Sequence, residues 1–181
     1  MKVLIIRDKT LSFNGGIKRH CDDLYALMSA CDVDVMPVED LPATYVKWIR
    51  KYKYDTKALV RYIENSRCDV VHIHGFMSPG AVQAINAAYG LNKKIVYSPH
   101  FHPFRYLRHP MKGKLWFHLF LKPVLFKVDT IVTINNEDTR FFGKYHPNVK
   151  KIPHWSTTDT NVLDEVEKPV SYTHLTLPTI R

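Results

Sequence analysis

Short β-branched runs alternate along this chain with stretches of helical spacing, and polar residues gather where the runs end. Val70 to Ile73 and Ile95 to Tyr97 are two such runs, each followed by histidines and then by a Pro or Gly breaker. Between them Ala81, Val82, Ile85, Ala88 and Tyr89 recur at the i, i+3, i+4, i+7 spacing of an amphipathic helix, with Gly90 placed to end it. The stretch from Asp69 to Pro103 is thus predicted to be one strand, helix, strand unit. In an open parallel sheet, ligands bind beyond the carboxyl ends of the strands. His72, His74, His100 and His102 are therefore expected at or near the edge where chemistry occurs.

The same pattern runs through the rest of the chain. Lys2 to Arg7 reads as a first, central strand, and Asp8 to Gly16 as a polar loop. Gly15 and Gly16 precede Ile17, Cys21, Leu24, Leu27 and Met28, a helical stripe lasting to about Ala30. Such a glycine pair lets a ligand approach the backbone closely. It also aims free N–H groups and the helix's positive end, about half a charge, at whatever binds there, which suits a phosphate. A plain tight turn explains the pair equally well. It is not GxGxxG and lacks the Lys-Ser/Thr ending of a P-loop, so neither dinucleotide nor Walker-type binding is supported. Asp32 to Val38 is a second strand. Leu41 to Tyr54, with Tyr45, Lys47, Trp48, Arg50, Lys51, Tyr52 and Lys53, is expected to form a surface helix or an ordered loop. Asp55 is placed to cap a helix over Thr56 to Ser66, with Leu59, Val60 and Ile63 inward. Asp129 to Thr133 is a buried strand, Asn135 and Asn136 cap a helix to Phe142, and Val149 to Ile152 is a last short strand. About six strands alternating with helices imply an α/β class with a Rossmann-like parallel sheet and right-handed crossovers.

Composition narrows the class. The 181 residues, 45% of them hydrophobic, suffice for one well-buried domain. Met1 to Ile6 is too short for a signal peptide, and nothing approaches the roughly 18 apolar residues of a spanning helix, so a cytoplasmic protein is expected. Cys21, Cys31 and Cys68 are odd in number and unpaired by any CxxC, as expected of reduced, mostly buried thiols rather than a zinc site. Net charge is +9, and no Asp or Glu occurs from Val70 to Val128. Either an anionic partner or a solvated basic face accounts for that. Within this region Phe104 to Val128 interleaves Trp116, Phe117, Phe120 and Phe126 with Arg105, Arg108, Lys112 and Lys114, broken by Pro110 and Pro123. It fits shallow insertion at an anionic membrane surface, or else a core helix with a polar back. Nothing resembles RRM, KH or helix-turn-helix patterns, so no nucleic-acid partner is expected. No Ser/His/Asp arrangement with nucleophile-elbow spacing is present.

The ordered pieces Gly15-Gly16-Ile17 with His20, DVVHIHG at Asp69 to Gly75, YSPHFHP at Tyr97 to Pro103, VDTIVTIN at Val128 to Asn135 and VKKIPHW at Val149 to Trp155 resemble the N-terminal domain of the family 4 retaining glycosyltransferases, which have the two-domain GT-B fold. His154 and Trp155 replace the Asn and Gly usual at that family's crossover. The resemblance implies transfer of a sugar from a nucleotide-diphosphate donor, with retention and without an essential metal or other cofactor, to a lipid-linked or envelope glycan. It implies catalytic-site roles for His100, near the reacting sugar, and His74, on the acceptor side. Gly15 and Gly16 would meet the donor diphosphate. Arg105, Arg108, Lys112, Lys114 and Trp116 would lie on the acceptor or membrane side, with peripheral contact at the inner face of the membrane. An imidazole suits such a site because it donates or accepts near neutral pH. His72, read as pointing away from His74, is expected to be a packed, hydrogen-bonded core residue, and His20 to cap or pack or else to line the site. His102, His109, His118, His146 and His154 are expected on the surface or in loops.

Residues 1–155 are read as this acceptor-side domain and 156–169 as the start of the crossover. Residues 170–181, beginning VSYTHLTLPT, look like the translation of a sequencing-library adapter and are expected to be non-native. The donor-binding domain, with its Glu-x7-Glu pair, is not in this sequence, so the chain alone is expected to be inactive. The alternative is a single-domain, non-catalytic binding protein for an anionic ligand or membrane surface.

Overall fold

The computed structural model describes residues 1–7, 16–31, 34–37, 41–47, 51–75, 78–100 and 110–153. Its centre is a six-stranded, wholly parallel sheet. The strands are β1 (Lys2–Arg7), β2 (Asp34–Pro37), β5 (Val70–His74), β6 (Lys94–Ser98), β7 (Thr130–Thr133) and β8 (Val149–Lys151), in the order β2-β1-β5-β6-β7-β8. The order reverses between β1 and β5, so the crevice beyond the carboxyl ends of those strands is the topological switch point. The register there runs Arg7 to His74 to Ser98.

Helices α1 (Gly16–Ala30), α2 (Thr56–Ser66), α3 (Pro79–Gly90), α4 (Pro110–Trp116) and α5 (Asn136–Phe142) complete the layers. Helix α2 has the predicted bounds. The Asp55 side chain accepts from the Ala58 N–H at 2.7 Å, satisfying one of the donors a helix start leaves unpaired. On one sheet face Leu4, Ile6, Val71, Ile73, Ile95, Tyr97 and Ile131 join Leu59, Ile63, Ala84, Ile85 and Phe117 in a single buried cluster. Full burial of each large side chain contributes on the order of 1.5–3 kcal/mol. On the other face the described core is smaller: Ile5 with Cys21 and Leu24 of α1.

Several sequence expectations are corrected. Leu41 to Tyr54, expected as a surface helix or an ordered loop, contains strands instead. Its described parts are β3 (Ala43–Val46) and β4 (Lys51–Tyr54), an antiparallel pair with Tyr45 opposite Tyr52 and Ala43 opposite Tyr54. Alternation of aromatic and cationic residues suits a pleated ribbon with one anchored face, and Tyr54 supplies the anchor at 5% exposure. Gly90 is the last residue of α3, but the left-handed residue after the helix is Asn92, and Tyr89 is exposed. Trp116 is not on the surface: it is 5% exposed, packed with Phe117 against the main core. Helix α4 continues through a π turn at Phe117–Leu121 into a 3₁₀ stretch at Lys122–Lys127. The inward stripe runs Trp116, Phe117, Leu121, Val124 and Leu125. His146, expected on the surface or in a loop, lies in the loop between α5 and β8 and is buried there. Its Nε2–H donates to the Val128 carbonyl at 2.8 Å while Nδ1 accepts from the Asn148 N–H at 3.2 Å.

Candidate histidine cleft

The carboxyl ends of β5 and β6 are tied together before any side chain is considered. Gly75 N–H donates to the Ser98 carbonyl at 3.1 Å, and the buried Tyr97 hydroxyl donates to the Gly75 carbonyl at 2.8 Å. Two residues beyond β6, His100 has φ 47°, a left-handed conformation that a non-glycine residue adopts at a cost on the order of 1–3 kcal/mol. That turn brings its ring back over β5. His100 Nε2 lies 2.9 Å from His74 Nδ1, with the rings stacked at 5.2 Å and 26°.

His20 completes the group. Its ring centroid is 5.1 Å from that of His100 and 5.8 Å from that of His74. Of the roles open to it in the sequence, capping, packing or lining the site, the structure shows the last: His20 shares the helix stripe of Ile17, Cys21 and Leu24, the face α1 turns to the sheet. His72 needs correction too. Residues two apart on a strand project to the same face, and its ring centroid is 4.1 Å from that of His74. His72 Nε2 is 2.9 Å from Ser98 Oγ, so the expected hydrogen bond exists, but on the cleft side. Burial, with a smaller contribution from nearby His20, pushes its pKa down to about 3. The ring is therefore neutral at pH 7. Beneath the group, burial pushes the Cys21 thiol up to about 12, which makes it inert as a nucleophile.

His20, Leu24, His72, Ser98, His100, Val132, Ile134 and Ile152 line a small cleft of about 70 Å³, polar at its imidazoles and Ser98 and apolar at Leu24 and Val132. The nitrogens of His20, His74 and His100 lie within 4.8 Å of one another and could hold a transition-metal ion. Each would have to come within about 2.0–2.1 Å of that ion, so the rings would have to turn, and the 2.9 Å pair is already a hydrogen bond.

The predicted site residues fall into distinct places. His74 and His100 meet in the cleft. Gly16 is the first residue of α1, whose first turn has no acidic residue, while Gly15, Arg105 and Arg108 lie outside the described residues, as do His102, His109, His154 and the terminal segment. Lys112 and Lys114 are exposed on α4, whereas Trp116 is in the core.

No curated protein matches the chain significantly. The crystal structure of MurG from Acinetobacter baumannii is similar at 11% identity and a TM-score of 0.45, over 93% of this chain and 50% of that one. The chain thus spans half the length of that solved relative. Residues 14–156 match Glycosyltransferase Family 4, a span that takes in the glycine pair, the cleft histidines and β8. The chain belongs to glycosyltransferase family 4.

Proposed function

We propose that this chain forms the acceptor-side half of the catalytic cleft of a retaining glycosyltransferase, which moves a sugar from a nucleotide-diphosphate donor to a lipid-linked or envelope glycan. The observation that carries the reading is the convergence of His20, His74 and His100 at the switch point of a family 4 sheet. Of the two nitrogens that meet between His74 and His100, one carries the proton and the other accepts it. In two neutral rings the outer nitrogens then have opposite character. Shifting the shared proton switches the outer nitrogen of cleft-lining His100 between accepting from a sugar hydroxyl and donating to one, while His74 stays buried behind it. Gly16 and the start of α1 meet the donor's diphosphate with N–H groups and helix dipole, without a metal ion.

With about two charge-assisted hydrogen bonds of roughly 1.5–3 kcal/mol each, this half alone holds a nucleoside diphosphate at millimolar affinity or weaker. Transfer needs a donor-binding domain. Amide NMR of the 181-residue chain with a nucleoside diphosphate is expected to move the Gly16 signal in the millimolar range, with no turnover of any nucleotide sugar. Micromolar binding remote from Gly16, or turnover by the chain alone, would contradict the proposal.

A peripheral membrane contact is favoured by one surface. Met111 at 81%, Leu115 at 60%, Leu119 at 58% and Phe126 at 71% exposure form an outward apolar stripe beside Lys112, Lys114 and Lys122. No described helix is long and apolar enough to cross a membrane, so the stripe would lie in the interface, with each cation adding about 1 kcal/mol on anionic lipid. Flotation with anionic vesicles is expected to carry the wild type but not Leu115→Gln/Phe126→Gln. Equal flotation of both sinks this contact.

A further inference from the structure

The β3–β4 hairpin is unused by the cleft as described so far, yet its position is informative. It is inserted between the carboxyl end of β2 and the start of α2, so topology puts it on the ligand-binding edge of the sheet. Its base is fixed there. The Tyr54 hydroxyl donates to the carbonyl of Arg7, the residue paired in register with His74. The Gln83 side chain of α3 accepts from Tyr54 N–H at 2.9 Å and donates to the Tyr54 carbonyl at 3.0 Å. Gly80 makes room for the Tyr54 ring, since a Cβ there would stand 2.8 Å from it.

Beyond this anchor the same face of the ribbon continues outward and presents Tyr45 and Tyr52. They are directly cross-strand, with ring centroids 5.2 Å apart, and Tyr45 is 46% exposed. Adding two residues of strand, one tyrosine side chain and one strand spacing places the pair within about 20 Å of His74, a span that a short oligosaccharide covers. Aromatic faces carry partial negative charge and meet the C–H faces of pyranose rings well. The charge nearby is of one sign: Leu41 to Tyr54 has four cations and no Asp or Glu, and Lys47 and Lys53 are exposed.

We propose that Tyr45 and Tyr52 form a saccharide-stacking platform for an acceptor glycan that carries negative charge, with Lys47, two residues beyond Tyr45, pairing its anionic groups. The proposal rests on the acceptor-side reading of the cleft and adds to it the residues that grip the acceptor away from the reacting end. The test is NMR titration of the 181-residue chain with trigalacturonate and with neutral maltotriose. Trigalacturonate is expected to move the Tyr45 and Tyr52 ring signals and to bind at least about tenfold more tightly than maltotriose, in a salt-dependent way. Tyr45→Ala/Tyr52→Ala should lose at least about tenfold, Tyr45→Phe/Tyr52→Phe should restore binding, and Lys47→Gln should remove the preference for the anionic sugar. Equal binding of the two sugars, unchanged binding by the alanine variant, ring signals that stay still, or a hairpin that answers only to anionic vesicles would each overturn it. A nucleoside diphosphate that moves Gly16 while the tyrosines ignore both sugars defeats the platform alone. Tyrosines that grip trigalacturonate while Gly16 and the cleft histidines never respond to nucleotide uphold a saccharide platform and defeat the donor side of the cleft reading.

Discussion

The two faces of the sheet are built from the same strands and do different work. On one, the described inward positions are apolar apart from hydrogen-bonded Thr133, and Leu4, Ile73, Ile95 and Ile131 vanish under α2, α3 and the Phe117 region. On the other, the strands present Ile5, then His72, His74 and Ser98, with α1 laying His20 over them. The first face supplies enough burial to fix the fold. The second can therefore hold polar rings that contribute little to stability but much to recognition.

Breaking the first face should have the largest effect. Phe117→Ala removes a fully buried ring in contact with Phe141, Phe142 and Tyr145, and is expected to cost about 3–5 kcal/mol. Urea melts should show the lower midpoint. His20→Gln on the other face is expected to leave the midpoint near wild type while shifting the ring signals of His74 and His100. A midpoint loss comparable to that of Phe117→Ala would erase the distinction between the faces.

A smaller effect sharpens the comparison. Because the folded His72 ring refuses a proton down to about pH 3, the unfolded chain binds more protons between roughly pH 6.5 and 3. Stability therefore rises with pH across that window and is lost on acidification, at up to about 1.4 kcal/mol per pH unit. His72→Gln should flatten this slope between pH 6 and 4 in urea melts, even though His20 and His74 face the same space. An unchanged slope would mean that the ring is solvated.

What the sequence disclosed follows from the same division. Where burial alone selects residues, periodicity is readable: β5, β6 and α3 lie where the apolar runs put them, and Asp55 announces α2. Trp116 was misplaced because its segment is apolar on both sides. The hairpin was missed although Tyr52 and Tyr54 already alternate with Lys51 and Lys53, because cations dominated the impression of a surface helix. At the cleft, His74 and His100 were legible from their place after apolar runs. Their 2.9 Å contact was not, since it depends on the left-handed turn at His100 that only the folded chain shows.

The most direct test is ¹H–¹⁵N NMR of the histidine rings in the 181-residue chain, recorded at pH 7 with and without millimolar nucleoside-diphosphate sugars. The cleft reading predicts that the ring signals of hydrogen-bonded His74 and His100 move with ligand, while His146, held between Val128 and Asn148, and exposed His118 stay still. Ring signals at His74 and His100 that do not respond at any concentration, or a response confined to His118 and the α4 surface, would contradict it.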